Sequence, residues 1–345
     1  MPQSFLSRLS KLRRLVAAPD VAIDLGTANT RLYAAGRGLI ADEPSIVKMS
    51  EEARARAMGE RHESLIISQE ATVWPLRAGV VTDIGAATSL LKPLLWRARR
   101  LGLIRPRVLA CVPTDACEEE RAALIEATRR AGAAAVVLAP EPLAAAIGAG
   151  LDVSSPYAQM LVDIGDGVTD IAIIRSGNLE MTAAIRMAGS DLHAAVRRMV
   201  AARRGVWLSQ REAERVTRRL GTAHSTSLAA SLMAKGTDCK TQRATVVRLT
   251  QEEIFAAIEP IIKTIVGAVQ TAANDLPHRM ACEVIESGIC LTGGGACLNG
   301  MAERITGETE IDVRLAVAPL HAVINGAREM LAVGAATNLW LHTSS

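Results

Sequence analysis

The chain has 345 residues, a formal net charge of +3, 49% hydrophobic, 22% charged and 2% aromatic residues. That length exceeds what one core usually serves and implies two packed domains with room for a cleft between them, while the hydrophobic content excludes a disordered chain. No apolar run reaches the roughly 18 residues of a membrane-spanning helix, and the scattered two Phe, two Tyr and four Trp supply no stacking platform, so nucleic acid is not an expected partner.

Arg8, Lys11, Arg13 and Arg14 precede any acid and leave a net −1 for the rest of the chain. Over residues 3–16 the helical spacing places Phe5, Leu9, Leu12 and Val16 on one face, with Leu6 and Leu15 beside it and Ser7, Arg8, Ser10, Lys11 and Arg14 opposite. Charges interleaved with leucines do not make a secretory signal. The expectation is an amphipathic basic segment, residues 1–19, lying on an anionic membrane surface with about 1 kcal/mol gained per basic residue. A helix docked on the body or on a partner is the alternative.

The strongest internal signal is a repeat. Asp24-Leu-Gly26-Thr27-Ala28-Asn29-Thr30-Arg-Leu32 returns as Asp163-Ile-Gly165-Asp166-Gly167-Val168-Thr169-Asp-Ile171. Each copy follows an apolar run and leads into another, which predicts strand, Gly turn, strand. A Gly-containing bend lets backbone N–H groups approach an anion, and an Asp at the end of the preceding strand suits a hydrated Mg²⁺. Two such hairpins would grip a nucleoside triphosphate from both sides, although one D-x-G copy alone is common in ordinary turns.

Between and after the copies, helices are expected at Ile84 to Leu101, with a kink at Pro93, and at Cys117 to Ala131, with an acidic first turn. Ser209-Gln-Arg-Glu212 and Thr250-Gln-Glu-Glu253 read as capping boxes. Ile254, Ile258, Ile261, Ile262, Ile265 and Val269 form a core stripe on the helix that the second box opens, with a bend at Pro260. Ile289-Cys-Leu-Thr292-Gly293-Gly294-Gly295-Ala296 reads as a strand entering a helix through three glycines, a junction suited to nucleotide. No G-x-x-x-x-G-K-[ST] and no first-strand G-x-G-x-x-G is present. The six cysteines form no C-x-x-C pair and read as reduced core thiols of a cytosolic protein.

Asp24 to Thr30, Asp163 to Asp170 and Leu291 to Ala296 resemble the two phosphate motifs and the adenosine motif of the actin, heat-shock chaperone and sugar kinase superfamily. Ala41-Asp-Glu-Pro-Ser-Ile-Val47, Arg105-Pro-Arg-Val108, Val112-Pro113, Glu141 to Leu151 and Thr250 to Ile254 further resemble MreB and its Mbl paralogue, the bacterial rod-shape actins, over roughly residues 20–332. The resemblance implies an α/β, actin-like ATPase fold of two duplicated domains, each with a mixed sheet flanked by helices, and a nucleotide cleft between them. It divides the chain into domain I over 20–153, domain II over 154–320 and a return to domain I over 321–345.

The resemblance also implies ATP with Mg²⁺, Asp24 and Asp163 holding the metal through water, and Glu141 orienting the attacking water, which makes these three the catalytic candidates. Glu141 serving only as a helix-start acid is the alternative. Gly26, Thr27, Ala28, Asn29, Gly165, Asp166, Gly167 and Val168 are the phosphate candidates; Glu214, Thr217, Arg218, Gly293, Gly294, Gly295 and Ala296 are the nucleoside candidates. The expected protein is a slow ATPase that polymerises with itself, sits in the cytoplasm peripherally at the inner face of the cell membrane, and works with cell-wall synthesis or membrane shape proteins. Leu103 and Ile104, beside Arg99, Arg100, Arg105 and Arg107, match the family's membrane-inserting loop; Ile104 beginning the next strand is the other reading. Pro140, Asp166, Val168, Thr217 and Arg328 depart from the family pattern, and the first four bear on turnover more than on binding. A scaffold that has lost turnover, or a small-molecule kinase of the same fold, are the alternatives.

Overall fold

A computed structural model describes residues 20–50, 71–224 and 230–337. The amphipathic segment with Phe5, Leu6, Leu9 and Leu12 lies outside the described residues. The chain forms two compact units, one within Met1–Leu151 and His321–Ser345, the other within Asp152–Leu320.

The first unit contains β1 (Val21–Leu25), β2 (Asn29–Ala34), β3 (Gly38–Pro44), β4 (Val47–Met49), β5 (Ala71–Val73), β6 (Leu76–Arg77), β7 (Val80–Val81), α1 (Ile84–Ala98), β8 (Arg107–Val112), α2 (Glu118–Arg130), β9 (Ala135–Pro140) and α3 (Glu141–Gly148). Its main sheet runs β3-β2-β1-β8-β9. The β1–β2 and β2–β3 pairs are antiparallel, whereas β1–β8 and β8–β9 are parallel. All five residues of β1 are buried, as a strand covered on both faces requires. Leu91, Leu94 and Leu95 of α1 pack into the same core as Ile23, Leu32 and Val108.

The second unit contains β10 (Gln159–Ile164), β11 (Thr169–Arg175), β12 (Asn178–Ile185), α4 (Gly189–Arg204), β13 (Val206–Trp207), α5 (Gln210–Leu220), β14 (Ser231–Asp238), β15 (Ala244–Thr250), α6 (Gln251–Asn274), α7 (His278–Ser287), β16 (Ile289–Thr292), α8 (Met301–Thr309) and β17 (Val313–Leu315); α9 (Ala322–Thr337) then belongs to the first unit. The main sheet runs β12-β11-β10-β16-β17, the same order and the same mixture of directions as in the first unit. A duplication seen in nine residues of sequence thus extends to the path of a whole sheet.

Several local expectations shift. Helix α1 stops at Ala98 rather than Leu101, because Arg99 leaves the helical region with ψ 133°. Both Pro93 and Pro260 lie inside continuous helices. Thr250 and Glu253 form a reciprocal cap, with Glu253 N–H donating to Thr250 Oγ1 and Thr250 N–H to Glu253 Oε2. Ser209 makes only half of one. Its hydroxyl accepts from Glu212 N–H, while the Glu212 carboxylate accepts from Lys235 N–H and pairs with Arg215, whose guanidinium donates to the Met233 carbonyl. That clamp covers backbone groups of β14 beyond its short pairing with β13. Helix α6, with 24 residues and an 18-residue stretch of mean hydropathy 1.4, is long and apolar enough to cross a membrane, yet Ile254, Ile258, Ile262 and Ile265 are buried in the second core.

Candidate functional site

In the first unit the bend between β1 and β2 is closed by Gly26 N–H donating to the Asn29 carbonyl at 3.1 Å. A Cβ on Gly26 would lie 3.0 Å from that oxygen, so the turn is built for a residue without one. The loop after β3 braces it from outside. Ser45 Oγ donates to the Gly26 carbonyl at 2.6 Å and Ser45 N–H to the Ala28 carbonyl at 2.8 Å. Thr27 Oγ1 accepts from Gly79 N–H at 3.0 Å, and Thr30, fully buried, shares a 2.8 Å hydrogen bond with the Ser45 hydroxyl. Asp24 stands buried at the end of β1, with Arg31 Nη1 3.2 Å from its Oδ2. Burial pushes its carboxyl above the ordinary range and Arg31 opposes that shift.

The second unit repeats the bend. Gly165 N–H donates to the Val168 carbonyl at 2.9 Å, and a Cβ on Gly165 would lie 3.0 Å from that oxygen. Here the brace is a helix start: Gly189 N–H donates to the Gly165 carbonyl at 3.2 Å and Ser190 N–H to the Asp166 carbonyl at 2.8 Å. Thr169 Oγ1 donates to the Met187 carbonyl at 2.8 Å. Asp163 is buried at the end of β10 opposite Asp170, also buried. Asp166 is held up to about 6 by burial and by the charges of Glu214 and Asp191. His193 Nε2 lies 3.9 Å from Asp166 Oδ1, burial lowers the imidazole's pKa, and its Nδ1 has no hydrogen-bond partner among the described residues. Asp166, Glu214 and His193 therefore converge, a grouping that sequence reading reached only in part because His193 lies outside the repeated hairpin.

The glycines after β16 approach the second hairpin more closely than any sequence pattern can show. Gly293 has φ +87°, and a Cβ there would lie 2.2 Å from the Ile164 carbonyl oxygen and 2.5 Å from Asp163 Oδ1; one on Gly295 would meet Ile164 Cγ2 at 2.3 Å. The predicted direct strand-to-helix junction is corrected. Gly295–Cys297 form a 3₁₀ turn and α8 begins only at Met301, after Gly300 in the left-handed region. Gly294 is exposed and Ala296 buried. On α5, Glu214 and Arg218 are exposed, whereas Thr217 is buried and its hydroxyl donates back to the Ala213 carbonyl at 2.9 Å.

Glu141 is the first residue of α3, directly after Pro140 ends β9, at the same end of the sheet as Asp24. Burial raises the Cys111 thiol well above its usual range, and the charges of Asp24 and Glu141 raise it further, so both carboxylates act on one interior position of the first unit. Helix α3 is seated against α9 by two glycines. A Cβ on Gly148 would lie 1.8 Å from the Ala322 carbonyl oxygen, and one on Gly326 1.7 Å from that of Ala144.

No group of three or more His, Cys, Asp and Glu side chains able to hold a metal occurs among the described residues. Carboxylates at strand ends fit a hydrated cation better than a directly ligated one. The cysteine expectation is corrected in part: all six are free, Cys111 and Cys290 are buried, but Cys117, Cys282 and Cys297 are exposed. In the loop after α1, Leu101, Leu103 and Ile104 are 91%, 83% and 55% exposed, and Arg99 stacks 4.4 Å over the exposed Trp96 ring. Ile104 does not begin a strand, since β8 starts at Arg107 and Ile104 bridges back to Arg100.

Comparison with known proteins gives a consistent set of relatives. The family model described as MreB/Mbl protein matches residues 18–338. The cell shape-determining protein Mbl of Bacillus subtilis is 30% identical over 319 residues, covering 91% of this chain and 96% of its own length. The cell shape-determining protein MreB of Escherichia coli is 32% identical over 322 residues, covering 90% and 93%. Among solved structures, MreB5 of Spiroplasma citri bound to AMPPNP is similar with a TM-score of 0.80 at 27% identity, covering 92% of this chain and 96% of that one. The MamK double helical filament shares the fold, with a TM-score of 0.71 at 19% identity, covering 91% and 98%.

Proposed function

As this chain belongs to the MreB/Mbl family of actin-like, cell shape-determining proteins, we propose that it is a membrane-associated, ATP-dependent cytoskeletal protein whose filaments organise cell-wall synthesis at the inner face of the cell membrane. The observation that carries the nucleotide part is the pair of matched bends, Gly26 to Asn29 and Gly165 to Val168, each at the same position of an identically ordered sheet. The amides of Thr27, Ala28, Asp166 and Gly167 lie in those bends and are assigned to phosphate oxygens. A relative in the same family, MreB5 of Spiroplasma citri, has been solved bound to AMPPNP and to ADP, which supports ATP as the ligand. Glu214 and Arg218, exposed on α5, are assigned to the nucleoside with Gly293, Gly294, Gly295 and Ala296.

Phosphoryl transfer asks a protein mainly for positioning and charge stabilisation. Asp24 and Asp163 are assigned to accept hydrogen bonds from the water shell of Mg²⁺, which would neutralise phosphate charge when bound. Glu141, fixed at the start of α3 by the α3–α9 contact, accepts a proton-side hydrogen bond from the attacking water and so orients it. The exposed Leu101, Leu103 and Ile104 beside Arg100 and Arg105 suit an anionic lipid surface. Buried Val168 and the self-bonded Thr217 favour a second reading, a nucleotide-binding scaffold with little turnover.

The test is electron microscopy of the full chain on anionic lipid monolayers with ATP, ADP or no nucleotide, alongside phosphate release. Nucleotide-dependent filaments on lipid, with phosphate release lowered at least about 100-fold in Glu141→Gln while ADP affinity is kept, are expected. Filaments without turnover would select the scaffold, and turnover without filaments would refute the cytoskeletal reading.

A further inference from the structure

The second bend is tied to α4, and α4 carries an imidazole back to it. The Gly189 and Ser190 amides at the start of that helix hold the Gly165 and Asp166 carbonyls. His193 follows Gly189 by four residues and so stands on the same face, one turn further on. Its Nε2 lies 3.9 Å from Asp166 Oδ1, beyond hydrogen-bond reach, although the two side chains are only 18% and 19% exposed. Its Nδ1 is buried with no hydrogen-bond partner among the described residues. In a neutral imidazole the bond made by one nitrogen fixes the proton on the other. No such bond among the described residues fixes it here, so Nε2 can either donate to the carboxylate or accept from it.

The charges around this pair come from α4 and from the elements packed on it. Asp191 on α4 accepts from Ala188 N–H, and Glu214 stands on α5; both act on Asp166, and Glu214 also acts on His193. Arg197, one turn beyond His193, donates to the Leu208 carbonyl. Helix α6 pairs its Glu253 with Arg204, the last residue of α4, and β13 brings only Val206 and Trp207.

We propose that His193 is a positioning residue for nucleotide at the second bend: binding draws one proton onto the Asp166–His193 pair, which closes the 3.9 Å gap into a hydrogen bond and removes a negative charge from beside the phosphates. This inference rests on the nucleotide reading above, in which the Asp166 amide meets a phosphate oxygen. A phosphate on that amide brings an anion beside the carboxylate of the same residue, and like charges sharing a site favour proton uptake. Asp166 is prepared for it, since burial with Glu214 and Asp191 already holds it up to about 6. The proton comes from solvent and belongs to the pair, lying between Oδ1 and Nε2. His193 does not touch the nucleotide; it acts through Asp166, and the α4 amides that brace the bend keep the two side chains together.

The experiment measures ADP binding to the full chain by titration calorimetry at fixed Mg²⁺, in two buffers of different ionisation enthalpy, which counts the protons taken up. The Asp166→Asn, His193→Gln double variant reports the protons of the ligand itself. At pH 7 the wild type is expected to take up about half a proton more per ADP than the double variant, and its affinity to rise about tenfold more between pH 8 and pH 6. His193→Gln, which keeps a donor but cannot gain a proton, is expected to lose at least about half of that uptake and to cut the rise to less than about threefold. A purely structural role would lower affinity equally at every pH and leave the proton count alone. Circular dichroism melts establish that each variant is folded. If His193→Gln does not fold, Asp166→Asn decides the matter: it is expected to lose the uptake, and uptake equal to that of the wild type would overturn the pair. Wild-type uptake in folded His193→Gln, or no excess of the wild type over the double variant, would overturn the proposal while leaving the nucleotide reading intact. A wild-type chain that binds ADP at no pH would instead overturn the nucleotide reading, and the proton uptake with it.

Discussion

The bend of the first hairpin is braced by a loop, through Ser45 and Gly79, and the bend of the second by a helix, through the Gly189 and Ser190 amides at the start of α4. The difference extends inward. One step beyond the register Ile23 to Ala110, the neighbour of Asp24 on the next parallel strand is Cys111, while the neighbour of Asp163 is Thr292, followed by Gly293. The first aspartate thus neighbours Cys111 and pairs with Arg31, and the second neighbours Thr292 and Asp170 with the Gly293 backbone close by. A duplicated turn thus preserves its hydrogen-bond geometry while the groups that brace it and stand beside it differ between the copies.

The sharpest way to break this contrast is Gly293→Ala. With φ at +87° and its Cβ forced within 2.2 Å of the Ile164 carbonyl and 2.5 Å of Asp163 Oδ1, the substitution displaces the second bend but nothing in the first unit. A stability loss of about 3 kcal/mol and loss of ATP-analogue binding by at least about 100-fold are expected from denaturant melts and titration. Binding kept within twofold would show that the Gly293 contact does not position the second hairpin.

Asp166 occupies the offset at which the first bend has Thr27, so only the second bend carries a titrating group. An acid held up to about 6 against an ordinary 3.8 binds its proton more tightly when folded than when unfolded. Its contribution to folding is therefore lost as pH rises from about 4 through 6 and stays lost above that. Asp166→Asn should be more stable than the wild type by about 2 kcal/mol near pH 7.5 and nearly equal to it near pH 4, which urea unfolding at both pH values would read. A gain that persists undiminished at the lower pH would point to packing, not to the carboxyl.

The smallest difference concerns the buried threonines. Thr30 bonds the Ser45 hydroxyl and Thr169 bonds the Met187 carbonyl. Valine at either place should cost about 1 kcal/mol, with Thr169→Val the worse of the two, because it strands a backbone acceptor whereas the Ser45 hydroxyl keeps its bond to the Gly26 carbonyl. Matched thermal melts of the two variants would check that order.

Much of this was legible in the sequence. The hairpins, the helix expected over Cys117 to Ala131, and the start and core stripe of α6 follow from spacing alone, because apolar periodicity and glycine at a bend are local constraints. Arg31 was also visible, but not its ion pair with Asp42 on the adjacent strand, nor the His321 imidazole beside that carboxylate, 279 positions further along the chain. His193 escaped for the same reason. The 3₁₀ turn at Gly295 and the half-made cap at Ser209 were misread because in both places a tertiary contact, with Ile164 in one case and the β14 backbone in the other, displaced the local pattern.

The glycine crossing at Gly148 and Gly326 has an implication for biogenesis. The second unit is one uninterrupted stretch, Asp152–Leu320, whereas the first is split around it. A nascent chain leaving the ribosome can therefore complete the later unit while the earlier one still lacks α9 and the surface on which the Glu141 helix seats. Translation that stops short of Gly326 would release a protein with both bends in place and the helix that begins at Glu141 unanchored.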